Sequence, residues 1–247
     1  MRKLLIRLIC CFIPSQKARH NFRHKYLSHY KLHGDNNRIY VGETLLKKSV
    51  VSGIYIDIYG NNNTIYLPNN FCFEQSSIFI RANNSKIVIK PTKYKIKNFR
   101  IGICRGDNQS IQIGENFYCH GCAVNLNEDN SSVIIGESCL FSNSISIWAT
   151  DGHVIMEHDT YKILNHLSEP VQIGNHCWIG EGVKILKNAI IPDNTIVGMG
   201  TVVTKRFVKP NTILAGNPAK VIKENVDWDH ATPSLKLKQI KKNKGII

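Results

Sequence analysis

From Ile173 onward an aliphatic residue returns every six positions: Ile173, Ile179, Ile185, Ile191, Val197 and Val203. Four residues after each stands a second, mostly small position: Cys177, Val183, Ala189, Thr195, Thr201 and the bulkier Phe207. A six-residue beat matches neither a helix of period 3.6 nor a lone strand of period 2. It fits a parallel β-helix, in which each hexad is one short strand plus one turn and three hexads close a triangular coil. The aliphatic then points to the axis, the small residue fills the corner, and successive coils stack around one continuous core.

The same beat runs earlier, at Ile135, Phe141 and Ile147. Further upstream a looser unit recurs: DNNRIYVG from Asp35, NNNTIYLP from Asn61, NNSKIVI from Asn83, DNQSIQIG from Asp107 and DNSSVIIG from Asp129. These anchors lie 22 to 26 residues apart, one coil plus a small insertion. Asn, Asp and Gly tolerate left-handed backbone angles, which places them at coil corners. Residues 35–225 therefore read as one all-β solenoid, with arms at 1–34 and 226–247. The period fails only between about 150 and 170, a stretch opening with TDGHVIM at residues 150–156. That segment is expected to leave the coil as an extended loop.

The formal charge of +14 is unevenly spread. Residues 1–34 hold eight Lys/Arg and no acid, residues 235–247 hold five Lys and no acid, and the body carries 19 basic against 18 acidic residues. A nucleic-acid binder carries its basic stripe on the folded domain, so no nucleic-acid partner is expected. Leu4 to Ile13 is apolar but too short to span a bilayer, and no small-residue cleavage site follows it. At 100° per residue Arg2, Lys3 and Arg7 share one side, and Leu4, Leu5, Leu8, Ile9 and Phe12 the other. Such a helix lies in a membrane interface or packs at a subunit or domain edge. Through residues 1–30 it gives a possible peripheral membrane contact. A second helix is expected through Ala18, Phe22 and Tyr26. The eight cysteines have no framework spacing and read as buried free thiols of a reducing compartment, the single CxxC at Cys119–Cys122 included.

In TDGHVIM, IGNHCWIGEGVKILKNAIIPDNTIVGMGTVVTK and AGNPAKVI the chain resembles the left-handed β-helix, hexapeptide-repeat acyltransferases. It looks most like the O-acetyltransferases of sugars and polysaccharides. The likeness is strong over residues 100–228 and rests on repeat style over 35–100. Handedness is implied by the resemblance alone. So are a homotrimer, acetyl-CoA as co-substrate with no metal, and a cytoplasmic location or one at the inner membrane face. The acceptor implied is a hydroxyl of a capsule or lipopolysaccharide polysaccharide, or of its sugar precursor.

In that family the extended loop reaches a neighbouring subunit and a histidine at its start is the general base. This implies His153 for the base. A neutral imidazole suits removal of a hydroxyl proton, an effect of roughly 10²–10⁴-fold. Transfer is direct, in a ternary complex, so the cysteines need no covalent role. Asp151 either orients the imidazole or caps a turn. Trp178 should point outward beside the pantetheine and acceptor, or under a partner subunit. Gly180 and Glu181 are implied as backbone oxyanion donors. Gly198 and Gly200, with Met199 between them, would border the pantetheine, and Thr204, Lys205, Lys220 and Lys223 the adenosine and phosphates. Asn125, Asn143, loop 154–170 and the 42–60 region would face the acceptor. His158, His166 and His176 read as loop or surface residues.

Two other readings stay open. One is a zinc enzyme on the same fold, like the β-helical carbonic anhydrases, with His153, His158 and His120 as ligands. The other is a non-catalytic scaffold of a polysaccharide synthesis complex.

Overall fold

The structure, a computed structural model, describes residues 2–15, 18–19, 22, 30–46, 53–70, 72–166 and 169–243. The chain winds through three faces in constant order. In one coil Ile145–Trp148 lies on face 1, Val171–Ile173 on face 2 and Trp178–Ile179 on face 3, before Lys184–Ile185 returns to face 1. Among the described residues each face is an eight-stranded sheet. The described pairings within the solenoid are parallel, apart from a hairpin at each end: Arg38–Val41 with Thr44–Leu45, and Thr212–Ala215 with Lys220–Glu224.

The six-residue beat sets the register. Ile173 pairs with Ile191, Ile179 with Val197 and Ile185 with Val203, each eighteen residues on. These six aliphatics are buried, as are Cys177, Val183, Ala189, Thr195, Thr201 and Phe207 at the second position. Each buried aliphatic contributes about 1.5–3 kcal/mol relative to exposure. In the middle coils aromatics fill the axis. Phe117 meets Phe99 and Phe141 edge-on, with centroids 5.7 and 4.9 Å apart, the offset geometry that ring quadrupoles favour.

The corner between faces 1 and 2 is held by a side-chain ladder. The N–H groups of Asp35, Asn61, Asn83 and Asp107 donate to the Oδ1 atoms of Asn61, Asn83, Asp107 and Asp129, at 2.7–2.9 Å. The residue after each rung (Asn36, Asn62, Asn84, Asn108, Asn130) has φ of 56–60°, as expected for corner asparagines. An inner row satisfies the buried polar groups: Ser85 N–H donates to Asn63 Oδ1 and Ser85 Oγ–H to Gln109 Oε1, both at 2.9 Å.

The expected loop is present. The chain leaves face 1 after Trp148 and rejoins face 2 at Val171, so the excursion occupies the corner where the ladder stops. It is a flap with its own hairpin: Met156 bridges Ile163 antiparallel, and Glu157 N–H donates to the Lys162 carbonyl.

The ends differ from expectation. Strand Tyr30–His33 already pairs with Ile54–Tyr59, so among the described residues the solenoid's strands reach back to Tyr30, ahead of the expected 35. Helix α1 spans Arg2–Cys11. The second N-terminal helix falls largely outside the described residues. The C-terminal segment is more than a basic tail: residues 226–232 fold back across face 3 before helix α2, Pro233–Asn243, which buries no side chain.

Candidate active site

His153 stands at the start of the flap, in a cavity of about 320 Å³ shared with Arg105, Glu128, Thr150, Asn165 and His166. The neck of the flap is tied from several sides. Thr150 Oγ accepts from Gly152 N–H at 3.0 Å, and Arg105 Nη2 donates to the Gly152 carbonyl at 2.6 Å. Gly152 has φ of 75°, a conformation that a side chain would strain. Asn165 Nδ2 donates to the His153 carbonyl at 2.8 Å and to Asp151 Oδ2 at 2.9 Å, and its Oδ1 accepts from Ile155 N–H at 2.8 Å.

Asp151 is engaged by the Lys187 ammonium and by Asn165. Burial works against its ionisation, but the hydrogen bonds from Lys187 and Asn165 outweigh that and hold its carboxyl below the usual range. Its hydrogen bonds to side chains therefore set the flap backbone on which His153 is carried.

Trp178 lies on face 3 with its side chain outward, 40 % exposed. Trp228 of the C-terminal segment leans on it, with centroids 6.1 Å apart at 44°. A cavity of about 440 Å³ opens between Tyr118, His120, Asn143, Trp178 and Glu181 on the coil and residues 228–232. At the same corner, between faces 3 and 1, lie Gly180–Gly182 and Gly198–Gly200 of successive coils. Gly180 N–H donates to the Val197 carbonyl at 2.8 Å, so it is spent in the ladder and the oxyanion role expected of it is not open. A Cβ at Gly180 would fall 2.8 Å from Val197 O and Met199 N, which accounts for glycine there. Glu181 N–H has no partner among the described residues. Met199 is exposed above it.

The other candidates divide between edges. Thr204 and Lys205 follow Val203 at the corner between faces 1 and 2, the flap's corner. Lys220 and Lys223 are exposed on the last strand of face 3. Asn125 stands on face 1 in register with Gly102 and Trp148, in neither cavity. Within one chain, then, His153 lies beyond one edge of face 1, at the corner with face 2, and Trp178 beyond the other edge, on face 3.

Sequence reasoning passed over Arg105, Asn165 and Lys187 at the flap neck, Trp148 on face 1 and Trp228 against Trp178. The signal for Trp228 was an aromatic inside DWDH at 227–230, masked by counting only charges there. For the zinc reading, His120 lines the Trp178 cavity and His153 the flap cavity. Among the described residues no three His, Cys, Asp or Glu converge as a ligand set. The CxxC thiols are buried: Cys119 is pushed up to about 12 by desolvation, and Cys122 is raised for the same reason.

Comparison with known proteins places this geometry. Residues 170–205 match the bacterial transferase hexapeptide (six repeats) family model. The polysialic acid O-acetyltransferase of Neisseria meningitidis is 33 % identical over 199 residues, covering 81 % of this chain and 88 % of that protein. The crystal structure of the polysialic acid O-acetyltransferase OatWY superposes with a TM-score of 0.54 at 28 % identity, covering 85 % of this chain and 99 % of the other. That of the polySia specific acetyltransferase NeuO gives 0.69 at 24 % identity over 88 % and 99 %, a likeness of fold. The chain belongs to the hexapeptide-repeat acetyltransferases and is an O-acetyltransferase built on the left-handed parallel β-helix.

Proposed function

We propose that this enzyme moves an acetyl group from acetyl-CoA to a hydroxyl of a cell-surface polysaccharide of capsule or lipopolysaccharide type, or of its sugar precursor. The work is done by a homotrimer in the cytoplasm or at the inner membrane face. The observation that carries this reading is the separation of His153 from Trp178 and Glu181 across face 1. One chain holds two half-sites on opposite edges. Setting face 1 of one copy beside its neighbour brings the flap of the first to the glycine-lined corner of the second. A closed three-fold ring then completes three equivalent sites.

The residues present fit the co-substrate. A Cβ at Gly200 would meet nothing within 4 Å, leaving open backbone for a pantetheine, and Lys205, Lys220 and Lys223 are exposed for phosphates. In the reaction His153 takes the proton of the acceptor hydroxyl as that oxygen attacks the thioester carbonyl. Glu181 N–H donates to the thioester carbonyl oxygen as negative charge develops on it. The carbon–sulfur bond breaks, the ester forms, and His153 returns the proton to the departing thiolate. Asp151, through Lys187 and Asn165, fixes the flap that carries the base.

Mixing two inactive variants tests both the chemistry and the assembly. His153→Ala and Trp178→Ala homotrimers should each lose thiol release by on the order of 10²-fold or more. Trimers assembled from an equal mixture should regain about a quarter of wild-type activity, since a quarter of seams join an intact flap to an intact corner. A mixture as dead as its parents, with mixed trimers present by native mass spectrometry, overturns the shared site. Full activity in His153→Ala overturns the base.

A further inference from the structure

The segment Val226–Thr232 is tied across face 3 as a strap. The Asn211 carbonyl accepts from Val226 N–H at 3.0 Å, and Asn194 Nδ2 donates to the Val226 carbonyl at 3.4 Å. Trp228 is then locked: its Nε1–H donates to the His176 carbonyl at 2.7 Å, and His176 Nε2 lies 3.2 Å from the Trp228 carbonyl. The two rings stack at 4.4 Å and 12°, leaving Trp228 8 % exposed. Beyond it His230 lies over Tyr94 and beside Tyr118, at 5.5 and 6.1 Å. The strap thus runs down the solenoid over several coils and turns an open face into the walled cavity beside Trp178.

That cavity is poor in cations. No lysine or arginine lines it among the described residues. Its carboxyl groups are Glu181 and Asp229, and Asp229 is already matched by Lys236 at 2.5 Å. The walls are Trp178, Trp228 and Tyr118, with His120, Asn143 and Ser142 as the polar groups that point between them. Aromatic walls take the C–H faces of a pyranose ring, and a few amide, hydroxyl and imidazole groups take its hydroxyls. A carboxylated sugar would bring a charge beside Glu181 with no lysine or arginine of the same chain lining the cavity to receive it, and desolvating an unpaired charge is costly.

We infer that the strap and the Trp178 face form an acceptor subsite for an uncharged glycosyl residue, with Trp228 and His230 as specificity-determining residues supplied by the C-terminal segment. This rests on the sugar-acceptor reading above and narrows it. The Neisseria meningitidis relative and the two superposed acetyltransferases are named for polysialic acid, an anionic polymer, so the inference also separates this chain from them.

The test uses full-length enzyme with methyl glucopyranoside and methyl galactopyranoside as neutral probes and a sialic acid trimer as the anionic one. Saturation-transfer NMR without acetyl-CoA reads the subsite, and thiol release with acetyl-CoA reads turnover. A neutral glycoside should bind at least ~10-fold more tightly than the sialic acid trimer. His230→Ala and Trp228→Phe, both chosen to spare the fold, should weaken that binding ~5–10-fold and raise the acceptor KM alone. Glu181→Gln should narrow the gap between neutral and anionic probes. Tighter binding of the sialic acid trimer, or neutral binding untouched by both strap variants, overturns the inference. Neutral glycosides that bind the wild type in a strap-dependent way but are never acetylated would leave the subsite standing and sink the acceptor assignment instead.

Discussion

Asn165 clasps Asp151 across the neck of the flap, Nδ2 to Oδ2 at 2.9 Å, although fourteen residues separate them. The same side chain holds the His153 carbonyl and the Ile155 N–H. One amide therefore fixes the backbone at and after the proposed base and the Asp151 side chain before it. Asn165→Ala leaves those three groups without that partner. The expected loss is ~10–100-fold in kcat/KM, with faster amide exchange confined to the flap. A variant that exchanges faster but turns over at the wild-type rate would show that the flap backbone does not position His153.

The Asp151 carboxyl adds a pH dependence to that clasp. Lys187 and Asn165, working against burial, hold it below its ordinary value. A depressed native value means the carboxylate's contribution is complete above the unfolded value of about 3.9. It is lost as pH falls through the lower native one. The flap should therefore resist cleavage at neutral pH and open to pepsin at residues 155–166 only below about pH 4. Lys187→Ala, lacking the main stabiliser of the ion, should open at higher pH. Identical acid profiles for the two proteins would remove Asp151 as the lock.

The coil was legible in the sequence because its period is enforced by burial. Ile173, Ile179 and Ile185 cannot drift without leaving the axis, and the corner asparagines cannot be replaced freely at their positive φ. The interruption at 150 was legible for the same reason. What stayed hidden were contacts that obey no period. Lys187 looks like any corner lysine until the flap brings Asp151 to it. Gly180 looks like a free donor until the next coil's Val197 carbonyl takes its N–H. Trp228 lies 50 residues beyond Trp178 in a stretch without repeat, and only the return of the chain over face 3 joins them. Lys236, Lys238, Lys241 and Lys242 of the tail lie in an exposed helix, while its single tryptophan is the residue that packs.

The stacking itself predicts how the core fails. Ile185 is fully buried and lies between Ile147 below and Val203 above. Ile185→Ala should cost about 2–5 kcal/mol and lower the unfolding midpoint in denaturant. An exposed change on the same strand, Lys184→Ala, should stay within about 0.5 kcal/mol. Equal effects from the two would contradict an axis that carries the stability.

Thiol chemistry separates the cysteines sharply. Cys11, Cys72 and Cys104 are exposed, whereas Cys119, Cys122, Cys139 and Cys177 are buried. Desolvation raises the thiols of Cys119 and Cys122, and Cys139 is raised by its contact with Cys177 and by burial, so little reactive thiolate exists at neutral pH. Brief iodoacetamide treatment of folded enzyme should label the three exposed cysteines and leave catalysis largely intact. Rapid labelling of Cys119 or Cys122 in the native state, read by peptide mass spectrometry, would reopen a redox or metal role for the CxxC.

Helix α1 exposes an apolar face. Leu5, Leu8, Ile9 and Phe12 are exposed and fall on one side at helical spacing. Among the described residues no helix is long and apolar enough to cross a membrane. The arm's excess of Lys and Arg favours an anionic surface. Vesicles containing an anionic phospholipid should sediment the wild type, and Leu8→Asp with Phe12→Asp should reduce that by ~10-fold or more. Raised salt should weaken the wild-type binding, because salt screens the attraction of a basic arm to an anionic surface. If the doubly substituted protein still sediments but its trimer dissociates, α1 is a subunit contact and the membrane role is wrong.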